Sequence, residues 1–175
     1  MSRLRPRGFT LLELLIVVAI IGIIAAVLIP NLLDALQKAR QKRTIADIRN
    51  VGTAWMSWLT DQAGATAAGA AKIYPASRHN AVSYEELFEY LRPSAEFFYM
   101  QEVPQFDSWE HPLGFAMNAH LVNTSVLIVC SPGDGGVYLR GPSCNDADWD
   151  VTPFLSTDYD QDIVWADGYF VRWPE

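Results

Sequence analysis

The chain lacks the residue patterns on which catalysis usually stands. Its three histidines, His79, His111 and His120, show no i,i+4 pairing, and it holds no HExxH, Gly-x-Ser-x-Gly or P-loop pattern. Each histidine reads as a loop or surface residue, and the chain is expected not to be an enzyme. Cysteine is scarce too: Cys130 and Cys144, 14 residues apart, fit no metal motif. In an oxidising compartment they would form one disulfide closing a loop, worth about 3 kcal/mol by chain entropy, and in the cytoplasm they would stay reduced. Basic charge is the third shortage. Lys and Arg number 13 against 20 Asp and Glu, and three of the 13 sit in the first seven residues, leaving 10 against 20 in the remainder. An acidic body argues against nucleic acid as a partner, because phosphate binding needs clustered cations.

What is present is concentrated at the start. From Phe9 to Pro30 the chain runs 22 residues with Glu13 as its only ionisable side chain. As a helix at 1.5 Å per residue this stretch is about 33 Å long, enough to cross a bilayer. Arg3, Arg5 and Arg7 precede it, which holds such a segment with its N-terminus in the cytoplasm and exports the rest. A second basic cluster, Lys38, Arg40, Lys42 and Arg43, flanks the other end of the span; its plain reading is a solvated helix face. Glu13 needs a use, since a carboxylate at the bilayer centre costs about 2.5–3.5 kcal/mol and somewhat less near an end.

An ordinary secretory signal has an apolar stretch of only about 7–15 residues and a cleavage site behind it. Here the apolar run is longer, and a helical pattern continues past it. Leu33, Leu36, Ile45, Ile48, Gly52, Trp55 and Leu59 recur on roughly one side while charged residues take the others. Gly22 and Pro30 punctuate this helix, and Pro30 is expected to kink or loosen it.

The stretch RGFTLLELL resembles the cleavage and methylation signature of type IV pilins and pseudopilins: a basic leader ending in Gly, then Phe, Thr, two apolar residues and Glu. The resemblance implies that residues 1–8 are a leader, that prepilin peptidase cuts after Gly8, and that Phe9 becomes the N-methylated terminus. Residues 9–33 would then be the membrane-spanning and filament-core half of the helix, with Glu13 and Pro30 at positions where the family has Glu and Pro. Pairing of the Glu13 carboxylate with the Phe9 amine of a neighbouring subunit would relieve its burial on assembly.

Residues 34–175 are expected to form the periplasmic globular domain. SYEE places Ser83 and Glu86 as a capping box opening a short helix that ends before Pro93. LGFAMNA, with Leu113, Phe115 and Met117 on one face, SVLIVCS and GVYL read as strands, and DIVWADGYFVRW as a hairpin turning near Asp167-Gly168. The expected fold class is α+β: a long N-terminal helix packed on an antiparallel sheet. Trp55 and Trp58 are expected to pack helix against sheet.

DSWEHPL, SPGDGG and YDQDIVWADG are similar, in order, to three stretches of the major pseudopilin of type II secretion, with Glu110 standing where that family has Gly. Asp158, Asp160 and Asp162, at every second residue, let oxygens converge on one cation, although the pattern is not an EF-hand. The resemblance implies Ca²⁺ in this C-terminal loop, with Asp134 and Asp162 at the matching aspartates; solvated loop acids are the alternative. It further implies a homopolymeric filament with minor pseudopilins, an assembly platform and an ATPase as partners, at the bacterial inner membrane. A surface type IV pilus subunit is the runner-up, and an anchored periplasmic enzyme or binding domain a remote third.

Overall fold

The computed structural model describes residues 9–67, 80–117, 127–139, 143–144 and 151–175. The element order is α1 (Leu11–Ala67), β1 (Asn80–Ala81), α2 (Tyr84–Leu91), β2 (Gly114–Met117), β3 (Leu127–Ser131), β4 (Thr152–Phe154), β5 (Ile163–Ala166) and β6 (Tyr169–Pro174). The chain is therefore α+β. It divides into two compact units, Met1–Gln37 and Lys38–Glu175.

In the first unit, α1 carries one exposed apolar side chain after another, from Leu11 at 80% to Leu36 at 50%. Among the described residues one helix is long and apolar enough to cross a membrane, Leu11–Gln62, with a mean hydropathy of 3.1 in its most apolar window. The helix is continuous through Pro30 rather than interrupted there, and the Asn31 side-chain amide donates to the Val27 carbonyl at 3.3 Å.

In the second unit, the buried stripe of α1 runs through Ile48, Val51, Trp55 and Trp58, at steps of three and four residues. It begins at Gln41 and Thr44; Leu33 and Leu36, expected on the same stripe, are exposed. These side chains share one core with Leu87 and Leu91 of α2 and with Phe115, Leu127, Val129, Ile163 and Trp165 of the sheet. Alternate residues of the same strands, Ala116, Ile128, Cys130, Val164 and Ala166, form a smaller core on the opposite face with Cys144, Val171 and Tyr138. Every side chain of β3 is buried, as a central strand covered on both faces requires.

The sheet order is β1-β2-β3-β5-β6-β4, antiparallel except for β4, which pairs parallel with β6. Ser83 caps α2 with the expected reciprocal bonds to Glu86. The β5–β6 turn has φ of 48° at Asp167 and 104° at Gly168, the left-handed pair that a two-residue hairpin needs. GVYL, expected as a strand, is instead turn and irregular chain, because Gly133 and Gly136 both take φ of 68° and bend the segment. Strands β1 and β4 had no counterpart in the sequence pattern.

Candidate functional site

Two regions carry the residues singled out by sequence. At the head of α1, Thr10 is the cap. Its hydroxyl accepts from Glu13 N at 3.2 Å, and Glu13 Oε2 accepts from Thr10 N at 2.9 Å and from the Thr10 hydroxyl at 2.7 Å. This is a capping box, TLLE, of the same kind as SYEE in α2, and it stabilises the first turn by about 1 kcal/mol. Sequence reasoning gave Glu13 a partner only in a neighbouring subunit and missed Thr10. The S/T-x-x-E spacing before an apolar run was the signal that would have found it. The box satisfies one carboxylate oxygen within the subunit itself. Phe9, one residue before it, is 74% exposed, and Gly8 lies outside the described residues, as do His79 and His120.

The second region is where DSWEHPL, SPGDGG and YDQDIVWADG meet. Asp107 is buried; its Oδ1 accepts from Trp109 N and His111 N, each at 2.9 Å, and its Oδ2 accepts from the Ser131 hydroxyl at 2.6 Å. Ser131 Oγ in turn accepts from Gly133 N at 3.1 Å, and His111 Nδ1 donates to the Gly133 carbonyl at 2.8 Å. Ser108 N donates to Thr44 Oγ1 at 3.1 Å, tying the same turn to α1. Asp, Ser and His are thus together, but the serine donates to the aspartate rather than to the histidine, and it is fully buried. The arrangement clamps loops and offers no nucleophile–base pair. Glu110, in the place of the family's Gly, has φ of 69°, the left-handed region that glycine favours.

Of the aspartates expected to hold calcium, Asp158 and Asp162 each have one carboxylate oxygen bonded to a protein donor. Asp158 Oδ2 accepts from Gln161 Nε2 at 2.8 Å, and Asp162, buried, accepts from Leu139 N at 3.0 Å through Oδ2. Asp160 lies against Gly135, and Asp134 gives its backbone N–H to the Tyr159 carbonyl at 2.8 Å. Among the described residues no group of three or more His, Cys, Asp or Glu side chains could hold a metal. A protein cation reaches the loop: Arg172 Nη2 donates to Gln161 Oε1, so that Gln161 links the guanidinium to Asp158. The same guanidinium stands 5.9 Å from the centre of the Phe154 ring.

Cys130 of β3 is joined to Cys144 in a disulfide, with the two Cα atoms 6.1 Å apart. Gly114 explains how closely the bridge packs on β2: a Cβ there would stand 2.8 Å from Cys144 Cβ and 2.6 Å from the Tyr138 hydroxyl. Burial pushes the Tyr138 phenol well above its ordinary range, and the charges of Asp162 and Asp107 push it the same way.

Residues 3–29 match the prokaryotic N-terminal methylation motif. The chain is 43% identical over 63 residues to the type IV major pilin protein PilA of Myxococcus xanthus, covering 35% of this chain and 29% of that protein. It is 44% identical over 48 residues to the type II secretion system core protein G of Aeromonas hydrophila, and 47% identical over 49 residues to that of Vibrio cholerae. Each of these two alignments covers 27% of this chain and 34% of the relative. The matched part thus spans about a third of the length of these curated relatives. No solved structure matches. With that motif at the head of an exposed apolar helix, the N-terminal third of the chain is similar to type IV pilin and type II secretion core G proteins.

Proposed function

We propose that the chain is a non-enzymatic filament subunit, inserted in the bacterial inner membrane with its globular domain in the periplasm. It is cleaved after Gly8 and assembled into the pseudopilus of type II secretion. The observation that carries this reading is the head of α1: Phe9 after an Arg-rich tip and Gly8, then a Thr10–Glu13 box opening a helix whose large apolar side chains from Leu11 to Leu36 are exposed. An apolar surface so continuous needs lipid or other helices around it. Glu13 Oε2 is engaged by Thr10, and the carboxylate's second oxygen would take the methylated Phe9 amine of a neighbour when the helices bundle. Polymerisation would be driven by an assembly platform and ATPase, with minor pseudopilins in the same filament. The disulfide supports an oxidising location for the domain.

A surface type IV pilus is the second reading, favoured by the alignment to a PilA protein. The test is expression of the full chain beside a prepilin peptidase and a type II secretion assembly platform. Mass spectrometry is expected to find a chain starting at methylated Phe9, and electron microscopy short periplasmic filaments. A terminus at Met1, or one after Ala26, would remove the reading; long surface pili would shift it to the second.

A further inference from the structure

The cations beyond the apolar stretch have no role in assembly as described, and their distribution is unusual. Lys38, Arg40, Lys42 and Arg43 follow Leu36 on the same helix, and all four are exposed. At about 100° per residue they occupy an arc of roughly 200° around α1, within about 8 Å along its axis. The remaining arc belongs to Gln41 and Thr44, which are buried. Arg43 lies 3.7 Å from Asp47 and is itself 79% exposed, while Arg40 and Lys42 make no ion pair among the described residues. A one-sided stripe would suit a groove on a protein. A collar covering all of the free circumference at one level suits a layer of charge that surrounds the helix.

The charge of the chain is divided to match. Residues 34–49 hold five cations and two acids, whereas residues 50–175 hold five cations and 17 acids, a net of −12. Lys and Arg beside a span resist translocation, so cations on the exported flank carry a cost that calls for a use. We propose that the Lys38–Arg43 collar binds anionic phospholipid headgroups of the leaflet from which the domain emerges. The attraction fixes the depth of the span, while repulsion of the acidic domain from the same surface keeps the domain clear of it before assembly. The inference rests on the membrane-inserted reading above.

The test uses the full chain reconstituted in vesicles of phosphatidylcholine with a minority of phosphatidylglycerol. Flotation with pure phosphatidylcholine vesicles comes first, and a chain that fails to float refutes the membrane reading itself. For a chain that floats, spin-labelled phosphatidylglycerol is expected to be immobilised several-fold more than spin-labelled phosphatidylcholine, less so in 0.5 M salt. Removing the cations one at a time is expected to lower that several-fold preference stepwise toward equality. The variant Lys38→Gln, Arg40→Gln, Lys42→Gln, Arg43→Gln should float normally and lose the preference. A Lys-for-Arg and Arg-for-Lys exchange at the same four positions should keep it, and a change of fold would show as loss in both variants. Equal immobilisation of the two lipids by the native chain overturns the proposal. So does a preference that survives the four-residue variant, or a four-residue variant that alters only self-association of the chain, which would assign the collar to a second copy.

Discussion

The indole of Trp165 lies on the backbone of Gly52 so closely that a Cβ on Gly52 would stand 2.5 Å from two of its ring atoms. The pair brings α1 against the centre of the sheet, β5, and sets how near the helix can come. A methyl here would gain about 1 kcal/mol of helix propensity but force the ring, boxed in by other buried side chains, out of its site. Gly52→Ala is expected to lower stability by about 1–2 kcal/mol net, seen as a melting temperature reduced by several degrees. Unchanged or higher melting would show that the ring has room to move.

The capping box divides two roles of Glu13. Glu13→Gln keeps an acceptor for the Thr10 N–H but removes the charge, and Glu13→Leu removes both. If charge pairing with a neighbour's amine governs assembly, both variants should accumulate to normal levels yet give few filaments. Abundant filaments from Glu13→Gln with few from Glu13→Leu would show that the carboxylate acts as a helix cap.

Cys130 and Cys144 close a loop of about 15 residues, and replacing both with alanine should cost about 3 kcal/mol. Protein from an oxidising compartment should yield no free thiol under denaturing, non-reducing conditions. Two labelled thiols would contradict the bridge.

The C-terminal loop is tied by Arg172, Gln161 and Asp158. Gln161→Leu leaves a guanidinium and a carboxylate short of a partner and should cost about 2 kcal/mol, the range for hydrogen bonds to charged groups. If the loop also binds Ca²⁺, the domain melts higher in millimolar Ca²⁺ than in chelator and Asp162→Ala loses the difference; coincident curves would sink the ion site.

The raised phenol of Tyr138 makes stability fall in alkali. Above about pH 10 the unfolded chain loses this proton while the native one keeps it, so the native state binds more protons and unfolding becomes easier as pH rises. The slope contributed is up to about 1.4 kcal/mol per pH unit. Tyr138→Phe removes it, and its stability should decline less steeply above pH 10 than that of the native chain. Parallel alkaline limbs for the two proteins would show that the hydroxyl is solvated.

Features encoded by neighbours in the chain were legible from the sequence. The leader and apolar run, the Ser83–Glu86 cap and the Asp167-Gly168 turn each depend on residues two to four positions apart, and backbone geometry alone converts such spacings into structure. The Thr10–Glu13 box is equally local, an S/T-x-x-E spacing directly before the apolar run. GVYL has the composition of a strand, yet left-handed glycines at Gly133 and at its own first residue, Gly136, turn it away from the sheet, and a Cβ at Gly133 would collide with the Tyr159 carbonyl. Strand β4 exists because β6 offers it an edge, which no residue within Thr152–Phe154 announces. The aspartates of the C-terminal loop show the same division. Their spacing permitted a shared cation, but only the fold could bring Leu139 N to Asp162 and Arg172 through Gln161 to Asp158, because the free energy of a carboxylate depends on which donors chain-distant segments place beside it.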